Sequence, residues 1–328
     1  MTTEFAAAAR IDACGHDIYA IDTHYVRAGL DASHLLLADG EAAFVDTGVN
    51  SSVAGLLSAL QTLNVAPQAV RWVFLTHIHL DHAGGAGRLM AALPNATAVI
   101  HPRGAPHMAA PEKLIAGARA VYGEPLFTKL YGDIEPIDAA RIHVPEDGER
   151  IPFGGRALEV LFTEGHARHH YCLHDAQSQA VFTGDSFGIS YRVFDTKAGA
   201  FAFPTTTPVH FDPVAAHASI DKIVATGARF ALLTHYSRVD RLPQIAAQLH
   251  EDINRFVAIT EQWAGDEQCE QRMSEALTEH LNRRLDAHGV TVAPNLRDTW
   301  LAMDVRLNVQ GLMHWQSLRR RGSKRNKP

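Results

Sequence analysis

The stretch T-H-I-H-L-D-H-A-G-G occupies residues 76–85 and directly follows the mostly apolar run V-R-W-V-F-L of residues 70–75. It brings three imidazoles and one carboxylate together within six residues, at the end of what we predict to be a buried strand. Imidazole and carboxylate side chains suit zinc, iron and manganese alike. Because these four groups cannot all face one tetrahedral ion, the stretch predicts a metal site with room for two ions. A polar, histidine-rich turn is the alternative.

Three more metal-capable side chains follow short, apolar, β-prone segments further along the chain. They are His166, Asp185 and His235. The end of a strand is where a rigid sheet can hold a site while the loops around it vary. The turn V-D-T-G of residues 45–48 adds one more carboxylate, that of Asp46. By itself, an aspartate in such a turn is usually a turn former.

These five motifs occur in this order over roughly residues 18–240, and with them the chain resembles the metallo-β-lactamase superfamily. Within it, the chain looks like a glyoxalase II-like branch with a helical C-terminal extension. The resemblance implies an α/β fold, namely the αββα sandwich of that family followed by the helical extension. The alternating strand-like and helix-like segments of the sequence agree with this fold.

The resemblance also implies a complete set of metal ligands. The first ion would be held by His77, His79 and His166, the second by Asp81, His82 and His235, and Asp185 would bridge the two. Asp46 would orient a ligand imidazole, and His170 would support the ligand loop without binding metal. We therefore expect two divalent metal ions per chain, with zinc as the first choice and iron or manganese as alternatives.

The chemistry implied by such a centre is hydrolysis by a water molecule shared between two ions, whose pKa falls to about 7. Asp81 and Asp185 are expected to accept or relay the proton of that water. No serine or cysteine nucleophile is then required. Tyr191 and Arg192 follow Asp185 closely and could place a hydroxyl and a guanidinium beside the substrate. An ordinary surface ion pair is an equal alternative for the arginine.

We predict cleavage of an ester-like bond in a small organic substrate, with a thioester, carboxylic ester or lactone favoured. A phosphodiesterase of the same fold is one alternative. Another is a di-iron redox protein, although those relatives usually carry glutamate at the position of His79 and need an electron-donor module. A non-enzymatic regulatory binder that uses the C-terminal helices is a further alternative.

The composition limits which binding partners and which cellular compartment we expect for this protein. The 328 residues are 46% hydrophobic and 20% charged, as in ordinary globular proteins. The formal net charge of −6 gives no basic surface for nucleic acid. No apolar stretch approaches the ~18 residues of a membrane span, and the N-terminus lacks the features of a signal peptide. Three well-separated cysteines, Cys14, Cys172 and Cys269, indicate a reducing compartment, so we expect a cytoplasmic protein.

We expect three segments: a catalytic domain over residues 1–240, a helical extension over 241–318 and a disordered basic tail over 319–328. The extension carries three amphipathic faces too apolar to leave in water. It should wall one side of the substrate pocket and contribute to a homodimer; a self-contained helical appendage is the alternative. An insert over residues 104–137, with helices near 112–122 and 126–131, is expected to cover the cleft; an excursion of the chain over the surface is the alternative.

Overall fold

The computed structural model describes residues 10–325, with side chains up to Arg321. The chain forms two compact units. The first holds the described residues up to Phe162, together with His169–Gly184 and Phe230–Arg238; the second holds Thr163–Arg168, Asp185–Arg229 and the chain from Val239 onward. The chain therefore passes between the two units several times, and the domain boundary expected at residue 240 stays a prediction.

The first unit contains a seven-stranded sheet whose strands follow one another in chain order. They are β1 (Ile11–Gly15), β2 (Ile18–Asp22), β3 (Ala32–Ala38), β4 (Glu41–Val45), β5 (Val70–Leu75), β6 (Thr97–Ile100) and β7 (Ile142–His143). Strands β1 to β4 pair antiparallel, whereas β4 to β7 pair parallel. Parallel neighbours place the ends of β4 and β5 at the same edge of the sheet.

A second, six-stranded sheet has the order β13-β12-β11-β10-β9-β8. Its strands are β8 (Arg150–Phe153), β9 (Arg156–Phe162), β10 (Tyr171–Asp175), β11 (Ala180–Gly184), β12 (Phe230–Leu233) and β13 (Ser237–Asp240). Inward-facing side chains of the two sheets form one buried cluster, with Phe74 and Val99 from the first sheet and Phe182 and Leu232 from the second. Burial of these apolar groups holds the two sheets face to face.

Helices cover the other face of the first sheet. They are α1 (Val53–Thr62), α2 (Leu80–Ala83), α3 (Ala86–Ala92), α4 (Ala105–Ala109), α5 (Glu112–Tyr122) and α6 (Glu124–Tyr131). Leu56 of α1, Leu89 of α3 and Met108 of α4 join a second buried cluster with the strand residues Val73 and Leu75. The two helices predicted inside the insert are confirmed as α5 and α6.

The second unit is helical, with α7 (Pro213–Ala225), α8 (Leu242–Gln262), α9 (Cys269–Ala287) and α10 (Pro294–Arg325). The last three are the helices predicted from the amphipathic faces, and each buries its apolar side. Between α8 and α9, the buried Asp252 accepts a hydrogen bond from Nε2 of His280 at 2.7 Å and pairs with Arg284.

Two further expectations bear on the helices. Helix α10 runs to Arg325 and so occupies most of the segment for which we predicted a disordered tail; residues 326–328 lie outside the described part of the chain. Within the described residues, no helix is both long and apolar enough to cross a membrane.

His34 lies in the interior of the first sheet. Strand β3 begins two residues earlier, at Ala32, so His34 is an interior residue of the strand and is 1% exposed. Its ring meets the edge of Phe182 at a centroid distance of 5.6 Å. Burial lowers the pKa of His34 to about 4, and the carboxylate of Asp46 opposes this only in part. The side chain is therefore neutral in the folded protein near pH 7.

Replacing His34 with leucine should flatten the acid dependence of stability. Below pH 6.5 the unfolded chain protonates this side chain, whereas the folded chain does so only near pH 4. The free energy of unfolding must fall as the pH is lowered through that window, by about 3 kcal/mol for this one group. The His34→Leu variant should lack that loss when denaturant unfolding is followed from pH 7 to pH 4.

The matched control is His314→Gln, a substitution of a half-buried histidine in α10. Both proteins are compared with the wild type at the same metal loading, so that the titration of other groups cancels in the difference. Equal pH slopes for His34→Leu and the wild type would contradict the assignment.

Candidate metal centre

The segment after β5 turns from extended chain into a short helix, and this turn presents the ligand side chains. His79 is extended, with ψ 146°, and caps α2, which carries Asp81 and His82. Two glycines then allow close backbone approach. A Cβ atom on Gly84 would lie 2.4 Å from the carbonyl oxygen of Leu80, and one on Gly85 would lie 2.8 Å from that of Val49. Larger residues at these positions would therefore displace the ligand segment.

The imidazoles of this segment lie against one another. Nε2 of His77 and Nδ1 of His79 are 2.9 Å apart, and the ring centroids of His77 and His82 are 4.0 Å apart. His77 and His82 are fully buried. Because these imidazoles are already buried, they would not have to lose bound water before they offered a nitrogen to a cation.

Asp81, His82 and His235 form a group whose ligand atoms all lie within 4.8 Å of one another. A carboxylate oxygen of Asp81 is 3.4 Å from Nε2 of His235 and 3.9 Å from Nε2 of His82. All three residues belong to the first unit. His235 lies two residues beyond the end of β12. Two imidazoles and one carboxylate make a donor set that fits a divalent zinc, iron or manganese ion.

The outer nitrogens of the two imidazoles in this group have fixed partners. Nδ1 of His82 donates to the carboxylate of Asp46 at 2.8 Å, and Nδ1 of His235 donates to the carbonyl oxygen of Leu30 at 2.9 Å. A hydrogen bond at Nδ1 fixes the tautomer and the ring orientation, and leaves Nε2 to face the cation. Asp46 thus lies where the resemblance placed it, beside a ligand imidazole.

Asp46 is itself held by two threonines that the sequence analysis did not single out. The backbone N–H of Thr76 donates to it at 2.8 Å, its hydroxyl donates at 2.8 Å, and the hydroxyl of Thr234 donates at 2.7 Å. Each threonine directly precedes a predicted ligand, in Thr76-His77 and Thr234-His235. The repeated T-H pair was the signal in the sequence that could have identified them.

Asp31 is another carboxyl that sequence reasoning missed. It directly follows Leu30, is fully buried and accepts a hydrogen bond from the hydroxyl of Thr23 at 2.7 Å. Burial raises the pKa of Asp31 to about 7, against the opposing effect of the imidazoles of His235 and His82. No pattern in the sequence marks it, because a single aspartate before a strand is common.

His170 packs behind the ligand segment. It is fully buried, and its ring centroid lies 4.9 Å from that of His77. A Cβ atom on Gly184 would lie 2.6 Å from Nε2 of His170 and 2.6 Å from the hydroxyl of Thr76. Gly184 also has φ +47°, so glycine is required there on both counts. The supporting role of His170 stays a prediction.

The two remaining predicted ligands, His166 and Asp185, belong to the second unit. Nε2 of His166 lies 3.4 Å from a carboxylate oxygen of Asp185, and both side chains are almost completely buried. Nδ1 of His166 is 3.5 Å from the hydroxyl of Thr207. The structure therefore brings this imidazole and this carboxylate together.

A pocket opens beside His166 and Asp185 inside the second unit. Its volume is about 20 Å³, which is room for about one water molecule and far below that of a typical ligand site. Its apolar lining includes Phe211, Ile220 of α7, and Leu249 and Ile253 of α8.

Tyr191 and Arg192, the predicted substrate contacts, have partners within the second unit. Tyr191 is 1% exposed and its hydroxyl donates to Asp304 of α10 at 2.9 Å. Arg192 pairs with Asp195 at 3.1 Å. These contacts attach the loop after Asp185 to its surroundings, and a role in substrate binding stays a prediction.

The family model of the metallo-beta-lactamase superfamily matches residues 29–235, which includes most of the two sheets and the ligand segment. The chain therefore belongs to this superfamily. Its fold is the α/β fold of that superfamily with a helical C-terminal region. Proteins with this fold usually bind divalent metal ions, and the His and Asp groups described above fit that property.

Two curated relatives show the level of similarity. A metallo-beta-lactamase fold-containing protein, ST1585 of Sulfurisphaera tokodaii, is 28% identical over 50% of this chain and 57% of its own. A hydroxyacylglutathione hydrolase of a Synechococcus species is 30% identical over 46% of this chain and 47% of its own. The chain thus spans about half the length of the curated relatives it matches.

Solved structures extend the likeness in fold. The crystal structure of ST1585 matches with a TM-score of 0.64 over 90% of this chain and 98% of its own, at 20% identity. That of the family protein TTHA1429 from Thermus thermophilus matches with a TM-score of 0.64 over 93% and 94%, also at 20% identity. At this identity the likeness shows the fold alone.

Replacing Asp46 with asparagine should weaken metal binding without removing a ligand. Asparagine offers one acceptor oxygen where Asp46 uses two, so its NH2 group must face either the Nδ1–H of His82 or the N–H of Thr76, and the contact that orients the imidazole is weakened or displaced. Losses of this kind reduce metal affinity about 10- to 100-fold. Competition against a chromophoric zinc chelator measures the change.

Asp298→Asn, an exposed substitution in α10, is the matched control for Asp46→Asn. Thr234→Val, which removes one hydrogen bond to Asp46, should give a smaller loss in the same direction. Zinc affinity in folded Asp46→Asn equal to that of Asp298→Asn would contradict the assigned role.

Proposed function

We propose that this chain is a metal-dependent hydrolase that cleaves a thioester or a related carboxylic ester of a small organic substrate. The observation that carries the proposal is the convergence of Asp81, His82 and His235 within 4.8 Å. Their two imidazoles have the outer nitrogens bound by Asp46 and Leu30 and the inner nitrogens turned toward the carboxylate. This arrangement suits a cation, because a histidine whose only task is packing needs no such fixed tautomer.

We further propose that two divalent ions bind per chain, with zinc first and iron or manganese as alternatives. The ligand assignment is that of the superfamily: His77, His79 and His166 for the first ion, Asp81, His82 and His235 for the second, and Asp185 between them. When bound, such ions supply Lewis acidity and make water acidic near neutral pH. The close pair of His166 and Asp185 and the close pair of His77 and His79 support this assignment.

Among these residues, Asp81 is best placed to take up a proton. Its side chain is 22% exposed, whereas those of His82 and His235 are at most 6% exposed. Water can therefore reach its carboxylate, and the oxygen 3.4 Å from His235 is held in place. A general base must be both reachable and oriented. We assign Asp81 as the first proton acceptor and Asp185, whose side chain is 6% exposed, as the second.

The thioester is favoured by the names of the relatives together with the pocket. A hydroxyacylglutathione hydrolase and a fungal enzyme named atrochrysone carboxyl ACP thioesterase are among the relatives that match. In this chain, the groups that line the small cavity beside His166 and Asp185 are largely apolar, and we propose that the cavity widens to take the acyl part of a substrate. Phosphodiester hydrolysis, di-iron redox chemistry and non-enzymatic binding are the alternatives, and no contact described above favours them.

The purified, zinc-loaded chain should hold about two ions and hydrolyse acyl thioesters faster than lactones or phosphodiesters. Chelation should abolish the activity, and zinc should restore it. Asp185→Asn should lower the metal content at both positions, whereas His82→Ala should mainly remove one ion, because only the first variant loses the shared carboxylate. Metal analysis and a substrate panel of acyl-glutathione, acyl-coenzyme A, lactones and a nitrophenyl phosphodiester measure both.

Asp298→Asn again controls for substitution as such. A variant with Cys14, Cys172 and Cys269 all replaced by serine should keep its turnover if it folds, because no cysteine nucleophile is required. Metal content near zero after exposure to zinc, iron and manganese would exclude the proposal. Turnover confined to the phosphodiester would favour that alternative, and a trapped acyl-enzyme would overturn direct attack by water.

The C-terminal helices are proposed to shape substrate choice, since Leu249 and Ile253 of α8 line the pocket. Leu249→Trp should fill it, because the indole is much larger than the isobutyl group it replaces. We expect kcat/KM for a long acyl thioester to fall at least about 10-fold relative to that for an acetyl thioester, the size of effect that pocket fit commonly has. Steady-state kinetics on the two substrates measures the ratio.

Leu301→Trp in α10, a buried leucine that does not line the pocket, controls for overpacking as such. An unchanged ratio of the two kcat/KM values in folded Leu249→Trp would show that the pocket does not hold the acyl chain. A homodimer through α8–α10 stays a prediction, for which the oligomeric mass in solution is the measurement.

A further inference from the structure

Helices α7 and α8 carry a pair of histidines that takes no part in the proposed hydrolysis. His217 of α7 and His250 of α8 stack with ring centroids 4.8 Å apart and an interplanar angle of 19°. Their Nδ1 atoms face each other at 2.6 Å. Both residues belong to the second unit and are half-buried. Two imidazole nitrogens this close cannot both direct a bare lone pair at each other, so either the N–H of one ring or a metal ion lies between them.

The outer nitrogens show which nitrogens carry hydrogen. Nε2 of His250 lies 3.1 Å from a carboxylate oxygen of Asp221, and Nε2 of His217 lies 3.2 Å from the side-chain oxygen of Asn254. Both partners are acceptors, so both Nε2 atoms donate. A neutral imidazole has one N–H only. With Nε2 protonated in both rings, each Nδ1 keeps its lone pair on the side that faces the other ring.

Helix geometry explains why these four side chains meet. His217 and Asp221 are four residues apart on α7, and His250 and Asn254 are four residues apart on α8. Residues with this spacing lie on one face of a helix. Each helix therefore presents one imidazole and one oxygen to the other, and each oxygen binds the imidazole of the opposite helix. A carboxylate behind a ligand imidazole is the arrangement that orients histidines at metal sites.

We propose that His217 and His250 form an interhelical site for a divalent transition-metal ion, bound through the two Nδ1 atoms. Copper(II) and nickel(II) should bind more tightly than zinc. With bonds of about 2.0–2.1 Å, two nitrogens at a right angle are about 2.9 Å apart, whereas a tetrahedral angle needs about 3.3 Å. The observed 2.6 Å is shorter than both, so the nitrogens would have to part by about 0.3 Å for the right-angled geometry that copper(II) and nickel(II) adopt, and by more than twice that for a tetrahedral ion.

The site is accessible and would connect two elements of the substrate pocket. The side chain of Asp221 is 74% exposed and that of His250 is 29% exposed, so an ion can reach the pair from solvent. Ala216 and Ile220 of α7 and Leu249 of α8 line the pocket. An ion held between the two helices would therefore fix the spacing of the pocket walls.

The test uses the full chain, first saturated with zinc so that the predicted catalytic ligands are occupied, and then titrated with nickel(II) or copper(II). The wild type should bind one ion more than the double variant His217→Gln/His250→Gln in calorimetry. The copper(II) spectrum should show coupling to two imidazole nitrogens that the double variant lacks. Nickel(II) should also raise the Tm of the wild type alone. Asp221→Asn should weaken the added site about 10- to 100-fold.

His314→Gln is the control, because it removes a half-buried histidine elsewhere in the second unit and should leave all readouts unchanged. The single variants His217→Gln and His250→Gln provide the comparison if the double variant does not fold. Equal ion counts in the wild type and the folded variants would overturn the proposal. The proposal would also be overturned if the chemical shifts of the imidazole nitrogens showed a proton shared by the two Nδ1 atoms that remains in place in excess nickel(II). None of these measurements depends on the hydrolase activity, so the two proposals can fail separately.

Discussion

The buried carboxylate of Asp46 is the interaction on which the candidate centre depends. It accepts hydrogen bonds from Thr76 beyond β5, from Thr234 beyond β12 and from the ligand His82, while Asp46 itself directly follows β4. A buried charge without partners would be strongly destabilising, and these donors supply the compensation. One side chain thus connects the edges of both sheets of the first unit. The same contact sets the tautomer of a ligand imidazole.

The backbone conformation at Asp46 restricts which residues can occupy this position. Asp46 has φ +58°, a conformation that few residues other than glycine, asparagine and aspartate adopt readily. The side chain at this position must also accept hydrogen bonds on both of its oxygens, so glycine and asparagine would not serve. Gly184 is restricted in a similar way, because any Cβ atom there would meet His170 and Thr76. Both positions therefore combine a backbone requirement with a role beside the ligands.

In the second unit, the same helices serve a pocket and a surface cluster. The inner face of α8 lines the pocket with Leu249 and Ile253, while His250, next along the helix, faces α7. Neighbouring residues on a helix point about 100° apart, so one short segment can contribute to two places. Because α7 and α8 contribute to both, their spacing connects the pocket with the histidine cluster.

The ligand motif, the superfamily, the insert helices and the three C-terminal helices followed from the sequence alone, because each has a local pattern: residues close in sequence or a helical period. Other features did not follow from the sequence. They are the contacts of Thr76, Thr234 and Leu30, the burial of His34 and the interleaved division into units. They depend on which strand ends meet, and hydrogen bonds between residues far apart in sequence leave no periodic trace. The sequence by itself thus determined which chemical groups are available. Tertiary structure decided which nitrogen of each imidazole is left for a cation, because only packing brings a second acceptor to the opposite side of the ring.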